Sequence, residues 1–364
     1  MRHTCNVAAR GAEADRLFGW RTAGLQRPPE SVHRAPCGGS EVKPDAALPK
    51  DQPRLPLARY RLHFEAQADV RLPHFAGSTW RGALGHALKR LVCVTQLPQC
   101  ARCALVQVCA HAYLFETPPP AHARKMRKYP AVPHPFVLNP PAGVQRLPAG
   151  AEYPLDLTLF GHGNRHLPYL IHALERAALA GLGRERAPLV LSSVERQAGT
   201  GAEDWFRVYA PGGPVENPPV EVWPIPAAPA APVRLDLITP LRLRREGKPL
   251  RPEAWQFGDL FSNLLRRVSM LTYFHTDQPL ETDFSGLAGS ARELQPIDRQ
   301  LDWRTWHRYS SRQKTTVAMD GLVGHVVLPA NGLEPFWPYL WLGQYVHAGA
   351  GTSMGQGRYV IRLS

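Results

Sequence analysis

The stretch YLWLGQYVHAGAGTSMGQGRY, residues 339–359, joins an apolar segment to a glycine-rich loop and then to the end of the chain. Helical spacing of apolar residues at 336–346 predicts a helix, and RYVIRL at 358–363 predicts a strand. The glycines of the loop between them are Gly349, Gly351, Gly355 and Gly357. Glycine tolerates positive φ, so such a loop can turn backbone N–H groups toward phosphate oxygens, or can simply connect a helix tightly to a strand.

The same alternation of strand and helix extends toward the N-terminus. The elements predicted in the second half are strands at 233–243, 303–309 and 321–328 and a helix at 257–274. In the first half they are strands at 58–66, 155–160 and 188–195, a helix that begins at 77, and a helix at 166–180. This order predicts an α+β fold with two tandem ferredoxin-like domains, in which helices cover one face of each antiparallel sheet.

Composition marks the borders between these regions. Residues 211–232 (PGGPVENPPVEVWPIPAAPAAP) are so rich in proline that they predict a stiff connector. Residues 1–56 lack a sustained apolar period and predict a disordered leader, or an over-long translation start. The domains expected on this basis are 57–210 and 233–364, the second with its glycine-rich loop at 347–358.

The charge of the chain favours a polyanionic partner. Lys and Arg number 43 against 30 Asp and Glu, which gives a formal net charge of +13. Nucleic acid is the first expectation and an anionic membrane surface the second. No apolar run approaches the roughly 18 residues of a membrane helix, and no signal peptide is evident, so a soluble, cytoplasmic protein without a membrane partner is expected.

Four of the six cysteines fall within one short segment. These are Cys93, Cys100, Cys103 and Cys109, with the spacing CX6CX2CX5C. Four thiolates at such distances can close a tetrahedral zinc site, with an iron–sulfur cluster as the alternative. Because sulfur would fill every position and leave no place for a catalytic water, the predicted four-cysteine metal site is structural and no catalytic metal is expected.

Several motifs occur in an order that is more specific than any one of them. The first half contains LPHFAGSTWRGALGHALKRLVC (72–93), CAHAYLFET (109–117) and HLPYLIHALERAALAGLGRER (166–186). The second contains LITPLRLRREGKP (237–249), FSNLLRRVSMLTYFH (261–275), LDWRTWHRYSSRQ (301–313), GLVGHVVLP (321–329) and the closing loop. Over residues 57–364 this series resembles the CRISPR-associated endoribonucleases of the RAMP superfamily, which cut repeat RNA into guide RNAs.

The resemblance implies two ferredoxin-like folds in tandem, with RNA held across and between them. It also implies cleavage of a CRISPR repeat without a catalytic metal, through attack by the 2′-OH, to leave a 2′,3′-cyclic phosphate and a 5′-OH. A basic residue is frequent in this family where Ala350 stands here, so one phosphate contact is lost or supplied elsewhere.

Candidate RNA-binding residues accompany the glycine-rich loop. The segment WHRYSSRQK can bind phosphates and stack a base, and the run before REGKP is basic; each could also be a solvated surface. The predicted RNA-binding residues are Arg242, Arg244, Arg245, Arg308, Tyr309, Arg312, Gln313, His347, Arg358 and the four loop glycines.

The acid–base group of this family commonly lies on or near the first helix, and His86 is the match here. Lys89 lies three residues later on an adjacent part of the helix, so the two could address one phosphate. A histidine near its ordinary pKa can act as base or acid. His63, His74, Tyr60 and His111 are the other candidates in this domain.

Two other functions remain open from the sequence. One is a non-catalytic RAMP subunit that holds guide RNA within an effector complex, because such subunits share the fold and the loop. The other is a zinc-stabilised basic protein that binds nucleic acid generally. The expected partners are CRISPR repeat RNA and, in the first case, effector-complex proteins.

Overall fold

The structure is a computed structural model that describes residues 52–120, 123, 125, 131–143, 146–183, 185–200, 204–310 and 315–363. Most of the predicted leader, residues 1–51, lies outside this part of the chain. The last residues before the first strand are packed: Leu55 is buried, and Pro56 forms an isolated β-bridge with Val222. No helix among the described residues has the length and apolar character needed to cross a membrane.

The first half contains a five-stranded antiparallel sheet and two helices. Its elements in chain order are β1 (Leu57–Ala66), β2 (Val70–Arg71), α1 (Gly77–Val92), β3 (Phe136–Asn139), β4 (Arg146–Leu147), β5 (Glu152–Phe160), α2 (Leu167–Leu179), β6 (Leu189–Gln197) and β7 (Trp205–Tyr209). The sheet has the order β3-β5-β1-β6-β7, and β2 pairs separately with β4. The cysteine segment is inserted between α1 and β3.

Alternating residues of β1 explain which face of this sheet carries the helices. Tyr60, Leu62 and Phe64 are fully buried in the first core, whereas the side chains between them are partly exposed. On α1, Trp80, Leu84 and Leu88 recur every four residues and are also fully buried. A period of two on the strand and nearly four on the helix therefore brings two apolar stripes together.

The second half repeats this plan. Its elements are β8 (Val233–Leu241), β9 (Arg244–Arg245), β10 (Lys248–Pro249), α3 (Phe257–His275), α4 (Phe284–Glu293), β11 (Asp298–Arg304), β12 (His307–Ser310), β13 (Thr315–Ala318), β14 (Gly321–Leu328), α5 (Trp337–Val346) and β15 (Tyr359–Leu363). The main sheet has the order β11-β14-β8-β15, while β9–β10 and β12–β13 form two hairpins. Both halves thus have the ferredoxin-like strand order, and the predicted α+β class is confirmed.

Two details differ from the sequence-based prediction. The strand predicted at 303–309 is two strands, because β11 ends at Arg304 after pairing with β14, whereas β12 pairs with β13. Residues 211–232 contain no helix or strand apart from the bridge at Val222, as expected for a connector. This segment nevertheless packs on the second half, since Trp223 is buried in its core and Trp337 Nε1 donates to the carbonyl of Pro226 at 2.7 Å.

The two halves are joined by a shared core. Leu57, Val137 and Phe160 come from the first sheet but are fully buried among the side chains of the second core. One end of the first sheet is therefore covered by the second half, and this contact fixes the position of the glycine-rich loop.

Candidate functional site

The glycine-rich loop of the second half is seated on the first half. A Cβ added to Gly77, the first residue of α1, would lie 1.8 Å from the carbonyl oxygen of Met354. A Cβ added to Gly355 would lie 2.6 Å from the carbonyl oxygen of Leu138 in β3. Both approaches are closer than any side chain allows, so glycine is required on each side of the contact. We call the meeting point of α1, β3 and this loop the junction.

The loop is already ordered by the protein itself. Its four glycines all have positive φ, between 69° and 90°. The amide of Gly349 donates to Asn263 Oδ1 at 2.7 Å, that of Ala350 to the carbonyl of Arg242 at 3.0 Å, and that of Gly357 to the carbonyl of Pro240 at 3.1 Å. The predicted backbone geometry is present, although several amides are engaged within the protein. RNA contact by Gly349, Gly351, Gly355 and Gly357 stays a prediction.

His347 lies behind this loop. Its side chain is fully buried, and Nδ1 is 3.1 Å from the carbonyl oxygen of Gln356. Since a carbonyl only accepts, Nδ1 carries the hydrogen and Nε2 is an acceptor; within the described residues Nε2 has no partner. Burial, aided by the charge of Arg358, lowers the pKa of His347 to about 3. A direct contact of His347 with RNA, as predicted, would require the loop to open.

The β12–β13 hairpin also begins at the junction. Trp306, just before β12, packs on His74 with ring centroids 4.7 Å apart and on Phe75 at 5.5 Å. His74 is exposed and lies three residues before α1. Arg308 and Tyr309 belong to β12, whereas Arg312 and Gln313 lie outside the described residues. The base of the predicted recognition strand is therefore next to the loop.

The three arginines of the second basic run differ in their surroundings. Arg242 donates to the carbonyl of Ala318 at 3.0 Å and lies 3.5 Å from Asp320. Arg245 forms an ion pair with Asp259 and donates to Gln256 Oε1 at 3.1 Å, so it holds the start of α3. Arg244 is exposed on β9 and donates only weakly to the carbonyl of Gly247 at 3.5 Å. Of the three, Arg244 presents its charge most freely to solvent.

A basic and aromatic cluster was missed in the sequence. Arg59 and Arg61 on β1 lie over the ring of Trp205, at 5.6 Å and 4.3 Å from its centroid, and both pair with Asp156. Burial, with the added charge of Arg59, lowers the pKa of Arg358, one of the predicted RNA-binding residues. The alternation of ARYRLHFEA puts Arg59 and Arg61 on one face of the strand, and this was the signal that could have found them.

His86 and Lys89 are not brought to the junction. His86 follows Gly77 by nine positions, which on an α-helix correspond to about 13 Å of rise and about two and a half turns, so the two residues lie on opposite sides of α1. His86 is exposed, and Lys89 Nζ donates to the carbonyls of Leu97 and Pro98 at 3.1 Å and 3.2 Å. Lys89 therefore binds the backbone of the cysteine segment and does not reach a ligand at the glycine-rich loop.

The cysteine segment gathers its four thiols around one cavity. Cys93, Cys100, Cys103 and Cys109 are all partly exposed and unpaired, and they line a cavity of about 300 Å³. The Thr95 hydroxyl is 3.4 Å from Cys103 Sγ, and its hydrogen bond lowers the pKa of that thiol. Burial raises the pKa of Cys100.

Two further potential ligands lie beside one of these thiols, that of Cys100. Cys100, His111 and Glu116 offer ligand atoms within 4.8 Å of one another, and Cys100 Sγ is 3.7 Å from His111 Nδ1. Burial lowers the pKa of His111, and the charges of Lys89 and His86 act in the same direction. A neutral imidazole is the form that binds a metal. His111 was considered in the sequence only as an acid–base candidate.

The chain is similar to known families and proteins over most of its described length. Residues 235–359 match the family model described as CRISPR-associated endoribonuclease Cas6, and residues 55–220 match the model AF_1859_N, described as an N-terminal domain. Over 193 residues the chain is 25% identical to an uncharacterized protein of Archaeoglobus fulgidus. That match covers 52% of this chain and 62% of the relative, so this chain spans less than two thirds of the relative's length.

Solved structures show the same fold. A product complex of Thermus thermophilus Cas6 matches with a TM-score of 0.51 at 16% identity, over 84% of this chain and 99% of that chain. A partial Cas6-RT-Cas1–Cas2 complex matches with a TM-score of 0.50 at 13% identity, over 85% of this chain and 46% of that chain. The resemblance found in the sequence is therefore confirmed: residues 235–359 match the model of the CRISPR-associated endoribonuclease Cas6, and the chain has a fold similar to that of solved Cas6 structures.

Proposed function

We propose that this protein binds the repeats of precursor CRISPR RNA and cleaves them without a catalytic metal to give mature guide RNAs. The observation that carries the proposal is the junction, where the Cas6-type glycine-rich loop meets the start of α1 and the base of the basic hairpin. Cleavage proceeds by attack of the neighbouring 2′-OH on the scissile phosphate. The net charge of +13 supports a polyanionic substrate.

This reaction needs four things from the protein: alignment of the 2′-OH, a base for its proton, an acid for the 5′-oxygen, and positive charge for the pentavalent phosphate. His74 is the exposed histidine of the junction and is favoured here as the acid–base group. His86, which the family pattern suggests, lies on the other side of α1 and is the alternative. The predicted residues Arg244, Arg308, Tyr309, Arg312 and Gln313 would hold the RNA beside the loop.

The proposal is tested with purified protein and end-labelled repeat RNA in excess chelator. We expect one discrete cut in the repeat, a 5′-OH and a 2′,3′-cyclic phosphate or 3′-phosphate at the new ends, and no cut in a scrambled RNA of equal length. Loss of cleavage on chelation, with recovery on adding Mg²⁺, would contradict the metal-free mechanism.

The two alternative functions give different results in this assay. Tight and selective binding of the repeat without a cut would support a non-catalytic subunit that holds guide RNA in an effector complex. Equal binding of repeat and scrambled RNA would support a general nucleic-acid-binding protein. A protein partner is also proposed, because the partial Cas6-RT-Cas1–Cas2 complex contains a chain of similar fold.

We further propose a structural zinc ion at the cysteine cluster, with an iron–sulfur cluster as the alternative. The gathering of Cys93, Cys100, Cys103 and Cys109 around one cavity supports this site. His111 would either replace one thiolate or orient a liganding thiolate from the side, and both arrangements occur in proteins. With protein ligands at every position, the ion would hold the inserted segment against α1 and take no part in cleavage.

Cys100→Ser should lower the metal content and the stability of the protein together. Each structural ligand contributes to folding free energy, so we expect loss of about one metal ion per chain and a fall in Tm of several degrees. Metal is measured by elemental analysis and Tm by thermal unfolding. Cys37→Ser, outside the cluster in sequence, is the matched control and should change neither. Wild-type protein that is fully stable without metal would contradict the site.

A further inference from the structure

Arg81 of α1 links three separate segments at the junction. Its Nε donates to Ser353 Oγ in the glycine-rich loop at 3.0 Å, and its Nη2 lies 3.0 Å from His134 Nε2, just before β3. The guanidinium also lies over the ring of Phe115, 5.1 Å from its centroid. The planar guanidinium is therefore held in one orientation where the two halves of the protein meet.

His134 holds Arg81 without neutralising it. Because a guanidinium only donates, His134 Nε2 must be an acceptor, and the ring hydrogen is on Nδ1. Nδ1 faces the Leu114 carbonyl and lies 3.4 Å from Thr117 Oγ1. Burial, followed by the charge of Arg81, lowers the pKa of His134 to about 3. The imidazole is thus neutral at ordinary pH. The lone pair on Nε2 accepts a hydrogen bond that orients Arg81, and the guanidinium keeps its positive charge.

The Phe115 ring lies under the Arg81 guanidinium, and Gly85 leaves space for this ring. A Cβ added to Gly85, one turn after Arg81, would lie 2.9 Å from Phe115 Cε1. The His111 ring also stacks on Phe115, with centroids 5.5 Å apart and planes at 4°. The inserted segment therefore supports the position of Arg81 through Phe115.

From this arrangement we propose that Arg81 is the cation that contacts the scissile phosphate, and that His134 is a positioning residue that holds Arg81 in place. The inference rests on the proposed function. A guanidinium can bind two phosphate oxygens at once, and its charge opposes the negative charge that builds up on the pentavalent phosphate. The Ser353 hydroxyl occupies Arg81 Nε in the free protein and can be replaced by a phosphate oxygen.

The test compares single-turnover cleavage with equilibrium binding of a repeat that carries a 2′-deoxy sugar at the cleavage site. A hydrogen bond to a charged group contributes about 1.5–3 kcal/mol, so Arg81→Ala should lower the cleavage rate constant about 10- to 100-fold. Affinity for the 2′-deoxy repeat should fall less, and Arg81→Lys should restore part of the rate. Arg90→Ala removes the same charge from an exposed position on the same helix and should stay within about threefold of wild type in rate.

The outcomes separate this inference from the proposed function. Wild-type protein that does not cleave would overturn both. Wild-type cleavage together with a near-normal rate for folded Arg81→Ala would overturn the role of Arg81 alone. Thermal unfolding shows whether each variant is folded, and Arg81→Lys provides the same comparison if Arg81→Ala is not.

His134 is tested by its conservative variant. The amide oxygen of His134→Gln can still accept from Arg81, so we expect a rate within about fivefold of wild type and an unchanged pH profile, whereas His134→Ala should lose about tenfold. If His134→Gln removes one limb of the pH profile and abolishes cleavage, then His134 takes part in proton transfer and its positioning role is wrong.

Discussion

His74→Ala should retain binding of repeat RNA and lose most of its cleavage. General acid–base groups contribute about 10²–10⁴-fold to rate, so a loss of this size is expected in the single-turnover rate constant. The physical reason is position: His74 is exposed and packs on Trp306 beside the glycine-rich loop.

His86→Ala is the matched comparison, since it removes an exposed histidine from the same helical region. Its place on the opposite side of α1 from Gly77 predicts a rate close to wild type. The reverse result, with His86→Ala inactive and His74→Ala active, would support the assignment made from the family pattern. It would also mean that the scissile phosphate lies near the cysteine segment rather than at the junction.

Gly77→Ala should damage the junction and cleavage together. The new methyl group would meet the backbone carbonyl of Met354 at 1.8 Å, and neither backbone can move far. The loop is tied to Asn263 and Arg242, while α1 is fixed by Trp80 in the first core. Overpacking of this kind costs about 1–3 kcal/mol of folding free energy. Because the loop and α1 would separate, we expect cleavage to fall by about 100-fold or more, as misplacement of about 1 Å can do.

Gly82→Ala provides the control on the same helix. Gly82 is exposed, and an added Cβ would meet nothing within 4 Å. Alanine favours a helix over glycine by about 1 kcal/mol, so this variant should be as stable as wild type or more so, with normal cleavage. Urea unfolding and single-turnover assays measure both effects. Normal cleavage by Gly77→Ala would show that the chemistry does not depend on contact between the loop and α1.

Local patterns in the sequence were enough for much of the fold. The apolar spacing of α1 and the alternation of β1 predicted both elements, because each depends on neighbours two to four residues away. The clustering of Cys100 and Cys103 was equally local. The strand predicted at 303–309 was divided in the structure, since β11 pairs with β14 while Trp306 turns to His74 in the other half. The hydrophobic period of a segment does not determine which other strand it will pair with.

The sequence by itself determined the α+β class, the two ferredoxin-like halves, the cysteine cluster and the resemblance to CRISPR endoribonucleases, because these follow from local periodicity, spacing and motif order. Only the tertiary structure brought Arg81 to Ser353, 272 positions away, and to His134, 53 positions away. It also separated His86 from the glycine-rich loop. Such contacts depend on how the two sheets share a core through Leu57, Val137 and Phe160, and packing between distant segments has no short-range period in the sequence.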